Sequence, residues 1–251
     1  MRTNAFDLDK TLRRIYYDAK NPASFSSVSK LYRACRLENP NVTLQSVKDW
    51  LAGERVYSLH KPALNIFGRN KSIVSRVDEQ WQADLVDMQA YKASNQGCKF
   101  LLTAIDMFSK YAFVIPLKNK SGSTLKVAFK EIFAQKRIPE KLQTDQGTEL
   151  ENRLLGEYLY SMGVRQFTTT NRQIKCAVVE RFNRTLKGRL FKYMTARKTE
   201  NYLDVLPDIV ASYNKTKHGA IKMRPVDVDA YDLQDQQRVF KNTYGFSNLR
   251  E

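Results

Sequence analysis

Three apolar runs follow one another closely in this chain: QWQADLVDMQ (Gln80–Gln89), KFLLTAIDMF (Lys99–Phe108) and YAFVIPL (Tyr111–Leu117), separated by short polar or glycine-containing turns. Runs of this length and composition read as strands, and three in succession read as an antiparallel meander. Helices and strands then alternate. Ser123–Gln135 carries Leu125, Ala128, Phe129, Ile132 and Phe133 at helical spacing. KLQTD (Lys141–Asp145) is a short fourth strand. Thr148-Glu149-Leu150-Glu151 has the spacing of a capping box and opens a helix through Leu154, Leu155, Tyr158, Leu159 and Met162, ended by Gly163. VRQFTTT (Val164–Thr170) is a fifth strand, and a long helix is predicted from Ala177 to Ala196. This order of elements is that of an α/β domain with a mixed five-stranded sheet flanked by helices.

Residues 1–75 read differently, as a small all-α domain followed by a linker. One helix is expected over Phe6–Tyr17. A second, after Phe25-Ser26-Ser27, places Val28, Leu31, Tyr32 and Cys35 on one stripe. Asn39-Pro40-Asn41 breaks the chain, and Thr43 is the expected N-cap of a third helix with Leu44, Val47, Trp50 and Leu51 inward and Gly53 as its stop. Two short helices joined by a tight turn outline a helix-turn-helix. In that arrangement Gln45, Ser46 and Lys48 point outwards towards DNA. The alternative is a helical domain used only for packing or oligomerisation.

The charge balance favours a polyanionic partner. The 251 residues hold 42 Lys+Arg against 26 Asp+Glu, a net charge of +16, and each phosphate neutralised by such a surface releases counterions. Cys35, Cys98 and Cys176 are widely spaced, which points to a reducing compartment and against a disulfide framework. His60 and His218 are far apart, so no Cys/His zinc module is expected. The N-terminus lacks the apolar run of a signal peptide, and no stretch reaches the length of a membrane span.

Three acids stand out against this framework. Asp84 interrupts an otherwise apolar strand, Asp145 ends the fourth strand, and Glu180 falls on the first turn of the long helix. Taken singly, Asp145 is explained as a turn residue and Glu180 as a helix N-terminal acid. A carboxylate buried without a partner costs several kcal/mol, so Asp84 calls for a cation. Converging carboxylates supply the hard oxygen ligands that Mg²⁺ takes. Arg184 and Lys187 follow Glu180 by four and seven residues and share its helix face, where they suit a phosphate; the competing reading is a solvated basic face that also includes Arg181, Arg189 and Lys192. Lys175, just before the helix, is a further candidate for DNA contact. Asp87 is read as a strand-end or capping residue, Asp106 as structural, His218 as a loop-orienting residue, and Cys176 as small and buried.

WQAD (Trp81–Asp84), TDQGTEL (Thr144–Leu150) and VVERFNRTLK (Val178–Lys187) resemble the DDE signature of retroviral-type integrases and related transposases. AIDMFSKY (Ala104–Tyr111) and YNKTKH (Tyr213–His218) resemble framework segments of the same family. The likeness covers about residues 76–230. Within the group, VKDWLAGERVYSLHKP followed by WQADLVDMQ looks most like the integrases of Maverick/Polinton DNA transposons. The resemblance implies an RNase H-like fold with the first and fourth strands side by side. It implies Asp84, Asp145 and Glu180 as catalytic ligands of two Mg²⁺ or Mn²⁺ ions, nicking of element ends, and joining of the freed 3′-hydroxyl to target DNA. It further implies a homo-oligomer acting on DNA in the nucleus, with neither a membrane nor a small-molecule substrate as partner. Residues 1–75 are then the DNA-binding domain with its linker, 76–230 the catalytic core, and 231–251 a C-terminal tail. The stretch between Asp145 and Glu180 holds 34 residues, one fewer than many integrases have, with the difference expected near Asn171–Lys175. Two rivals remain open: a host-domesticated, catalytically idle DNA-binding protein, and a generic RNase H-like nuclease.

Overall fold

In the computed structural model the described residues are 5–60, 72–145, 150–168 and 176–245. They gather into two compact units, one drawn from residues 1–66 and 185–216, the other from 67–184 and 217–251. The expected boundaries at 75 and 230 follow the order of elements along the chain, whereas each unit draws on both sides of at least one of them.

The sheet-bearing unit holds strands β1 (Gln80–Asp87), β2 (Phe100–Asp106), β3 (Ala112–Leu117), β4 (Lys141–Thr144) and β5 (Arg165–Thr168) in the order β3-β2-β1-β4-β5. β1, β2 and β3 pair antiparallel as the expected meander, while β4 and β5 join β1 in parallel. Every residue of β2 is buried, as befits a strand covered on both faces. Trp81 on β1 stacks on Phe113 of β3 with ring centroids 4.8 Å apart, and its indole N–H donates to Asp78 at 2.8 Å.

Helix α5 (Gly122–Phe133) is capped by Ser121 and buries the five apolar residues that its periodicity singled out. Helix α6 (Arg153–Ser161) departs from expectation, because its N-cap is Asn152 and not a box opened at Thr148. The Asn152 side-chain oxygen accepts from the Leu155 N–H at 2.9 Å, which satisfies an N-terminal amide and sets the start of the helix; Thr148 and Glu149 lie outside the described residues. A Cβ at Gly122, where α5 begins, would stand 2.2 Å from the Asn152 oxygen and displace that capping side chain. Gly163, at φ +75°, ends α6 as predicted.

The expected tail contains a packed helix, which runs from Leu233 to Tyr244. Its Val239 and Phe240 bury against Val74, Val77, Met107 and Phe108. Its Tyr244 hydroxyl accepts from the Val74 N–H at 3.1 Å and donates to the Ser72 carbonyl at 3.2 Å.

The helical unit contains α1 (Ala5–Tyr17), α2 (Val28–Glu38), α3 (Leu44–Gly53) and the short α4 (Arg55–Leu59). To these it adds the later residues of α7 (Ala177–Arg197), and α8 (Leu206–Asn214). Leu12, Ile15, Tyr16, Phe25, Leu31, Val47 and Leu51 form its core, with Tyr193 of α7 packed against them. Thr43 caps α3 as expected, accepting from the Ser46 N–H at 3.1 Å. Leu44, expected inward, is 40% exposed, because the first residue of α3 precedes the face that Val47 and Leu51 bury. Leu233–Tyr244 is α9 in chain order.

Candidate active site

Parallel pairing of β1 with β4 sets Ala83 opposite Thr144. The next residues on these adjacent strands are Asp84 and Asp145. Glu180 lies in the first turn of α7, where its N–H bonds back to the Cys176 carbonyl at 2.9 Å.

One Asp84 oxygen accepts from the Leu85 N–H at 2.7 Å and the other from the Asn183 amide at 2.8 Å. Both donors are uncharged. Burial first, and then the negative charge of Asp145 and Glu180, hold the Asp84 carboxyl above its ordinary range despite those two hydrogen bonds. The neighbouring Cys176 thiol is pushed up to about 12, by burial first and then by Asp145, Asp84 and Glu180. It stays protonated at neutral pH and is not a nucleophile.

One buried side-chain oxygen at this place, Asn183 Oδ1, has no hydrogen bond among the described residues, while the amide of the same side chain donates to Asp84. A buried polar atom left in this way calls for a missing ligand or water. Hard oxygen donors, mutual repulsion and an orphaned oxygen together fit a hard divalent cation. Among the described residues no group of three His, Cys, Asp or Glu side chains is already placed to hold an ion.

Of the basic residues predicted for DNA, Arg184 is exposed and Lys187 half-buried on α7. Arg189 and Lys192, counted with the solvated face, are buried. Arg189 donates to the Ser212 hydroxyl at 3.1 Å and Lys192 to the Phe25 carbonyl at 3.2 Å, so both hold the helical unit together. Gln45 and Lys48 are exposed on α3, with the Gln45 amide donating to Asp49 at 2.7 Å. Lys175 and the segment Asn171–Lys175 lie outside the described residues.

Asp106 is structural. It is fully buried and accepts from the Phe108 and Ser109 N–H groups and from Arg137. Asp87 caps the turn after β1 by accepting from the Gln89 N–H at 2.9 Å, and His218 accepts from the Ala220 N–H at 3.3 Å within its own loop. The motif reading passes over Asn183, although a spacing of three from Glu180 places it on the same side of α7.

A five-stranded mixed sheet with one acid within β1, one just after β4 and one in the first turn of α7 has an RNase H-like architecture. Residues 74–173 match the integrase core domain family. Over 147 residues the chain is 40% identical to an uncharacterised transposon-derived protein of Caenorhabditis elegans, an alignment covering 58% of this chain and 51% of the worm protein. It is 28% identical over 154 residues to the Gag-Pol polyprotein of Walleye dermal sarcoma virus, covering 60% of this chain and 8% of the polyprotein. The chain thus matches about half of the worm relative and a small part of the viral one. Among solved structures, the simian T-cell lymphotropic virus intasome in complex with the PP2A regulatory subunit B56 gamma aligns with a TM-score of 0.56 and 17% identity, over 80% of this chain and 73% of the other. The HTLV-2 integrase catalytic core domain in complex with magnesium, in a trimeric form, aligns with a TM-score of 0.50 and 19% identity, over 59% of this chain and 94% of the other. The core is an integrase-like domain related to retroviral and transposon integrases.

Proposed function

We propose that this chain is a polynucleotidyl transferase that nicks DNA at the ends of a mobile element and joins the freed 3′-hydroxyl to a target strand, with Asp84, Asp145 and Glu180 as ligands of two Mg²⁺ or Mn²⁺ ions. The observation that carries the reading is the crowding of Asp84 by two further carboxylates while, among the described residues, its own oxygens accept from uncharged donors. Such crowding is costly unless cations offset it. Bound there, the ions supply Lewis-acid activation of the attacking oxygen and stabilisation of the leaving one.

The chain's own residues have separate tasks in this reading. Asn183 holds the Asp84 carboxylate in one orientation. Arg184 offers a planar, two-pronged donor to a phosphate, and Lys187 a compact positive charge; Lys175 is assigned to the same DNA path. The helical unit, helix-turn-helix-like, binds DNA. Gln45 and Lys48 on α3 belong to that proposal, but the Gln45 amide is already held by Asp49. Helix α2 makes the stronger case. It carries Lys30, Arg33 and Arg36, and the Lys30 ammonium is pulled down to about 8 by burial first and then by Arg189 and Arg33.

Assembly as a homo-oligomer, action in the nucleus and descent from a Maverick/Polinton element are further parts of the proposal. The relatives described as an intasome and as a trimeric form support the first, and the Val47–Pro62 segment supports the last. A domesticated, idle protein is not favoured, because all three carboxylates are present. The test is joining and unjoining of a branched DNA oligonucleotide with Mn²⁺, which needs no knowledge of the element's ends. Wild type is expected to be active and Asp84→Asn inactive, with DNA binding retained. Equal activity in both would sink the metal-site assignment.

A further inference from the structure

The three acidic residues sit on three different elements, β1, β4 and α7; the β1–β4 pairing holds the first two in register, but nothing in that pairing or in a helix start holds α7 against them. Two fully buried glutamines do so. Gln82 and Gln143 are 2% and 1% exposed, unusual for uncharged polar side chains inside a sheet-helix layer unless each polar atom is matched. The Gln82 side-chain oxygen accepts from the Val178 N–H at 2.9 Å and from the Val179 N–H at 3.1 Å. These are first-turn amides of α7, which have no partner within the helix. The Gln82 amide donates to the Gln143 side-chain oxygen at 2.9 Å, and Gln80 donates to that oxygen at 3.0 Å.

Backbone N–H groups can only donate, so the Gln82 oxygen must face α7 and its NH₂ must face β4. The amide is therefore fixed in one orientation, with both ends used. Strand geometry gives the bridge its reach. Gln82 lies two residues before Asp84 and Gln143 two before Asp145, so each shares a sheet face with the acid that follows it. Gln82 also stands directly opposite Gln143 in the β1–β4 register, and the amides it caps lie one and two residues before Glu180. A single side chain thus touches each of the three elements next to its carboxylate.

We propose that Gln82, seconded by Gln143, is the positioning residue of the carboxylate cluster: it sets the spacing of Asp84, Asp145 and Glu180 and so the affinity for divalent cations. The inference rests on the metal-dependent reading above. Partners that orient ligands from behind are typically worth about 10–100-fold in metal affinity or activity.

The experiment is calorimetric titration of Mn²⁺ into wild type, Gln82→Met and Gln143→Met, alongside thermal unfolding, metal-free DNA binding and Mn²⁺-dependent nicking. Methionine keeps the length of the side chain and removes its hydrogen bonds. Gln82→Met is expected to weaken Mn²⁺ binding about tenfold or more, with nicking restored in part by excess Mn²⁺ and metal-free DNA binding unchanged. Gln143→Met, which leaves the α7 cap in place, is expected to fall between it and wild type. Mn²⁺ affinity within twofold of wild type in folded Gln82→Met would overturn the proposal, as would the same result in Gln143→Met if Gln82→Met does not fold. A wild type that neither binds Mn²⁺ nor nicks would instead refute the underlying functional reading.

Discussion

The sheet-bearing unit crowds Asp84 with the negative charge of Asp145 and Glu180, whereas the helical unit crowds Lys30 with the positive charge of Arg189 and Arg33. Acids are not lacking in the helical unit, but they are committed elsewhere. Asp9 accepts from Trp50 and Arg13, Glu38 pairs with Arg14, and Glu54 with Arg13 and Tyr17. Nor does the sheet-bearing unit leave every acid to its neighbours' repulsion. Asp106 is fully buried yet has Arg137 at 2.9 Å. Among the described residues, like charge crowds two places of opposite sign. One suits small cations, the other a polyanion.

The largest effect is expected from breaking the negative place. Glu180→Gln removes one ligand and should lower strand joining by roughly 10³-fold or more, the scale on which metal-assisted phosphoryl transfer depends on its ions, with DNA binding intact. The positive place comes next. Lys30→Glu combined with Arg33→Glu should weaken DNA binding about uniformly across sequences and flatten its salt dependence, by roughly one unit of slope for each phosphate no longer neutralised. Lys48→Glu on α3 sharpens the comparison: a larger loss from Lys48→Glu than from the α2 pair would return the DNA-facing role to α3.

Stability should report the same imbalance. Asp84 has a folded-state pKa above its ordinary value of 3.8. Below that value it is neutral folded or unfolded, and the cost of its charge is absent. The cost appears as pH rises above 3.8. Asp84→Asn in metal-free buffer should therefore melt higher than wild type at pH 7, with no gain near pH 3. The side-chain amide introduced by that substitution would also offer an N–H to the orphaned Asn183 oxygen.

The smallest effect belongs to Lys192, which burial first and then Arg189 pull down to about 8 from 10.5. Between those values the unfolded chain binds the proton that the folded one has released, so stability rises with pH there. Wild type should gain on Lys192→Met from pH 8 to 10.5 in thermal melts, and parallel curves would remove Lys192 from the positive cluster.

Periodicity made the strands and the inner face of α5 legible, because burial repeats at the spacing of the element. The acids were legible through their motifs. What sequence could not supply was the identity of partners. Asp84 and Asp106 both sit in β-strands, and only the fold reveals Arg137 beside one and two carboxylates beside the other. Gln82 looks like any polar strand residue until the β1–β4 register brings Gln143 opposite it and the start of α7 above it. Arg189 and Lys192 read as a solvated face because the sequence of α7 does not disclose that its later residues are covered by α8 and the loop before α2. Helix α6 starts at Asn152, whose side-chain oxygen accepts from the Leu155 N–H; its sequence offered the Thr148 box as well.

The central claim is that Asp84, Asp145 and Glu180 form one cation-binding cluster. Titration of Mn²⁺ into the wild-type chain and into Asp84→Asn, followed by calorimetry in the absence of DNA, addresses it most directly. Wild type is expected to bind saturably and Asp84→Asn to lose at least about tenfold in affinity, since loss of even a partner that orients a ligand costs that much. Indistinguishable isotherms for the two proteins would contradict the claim.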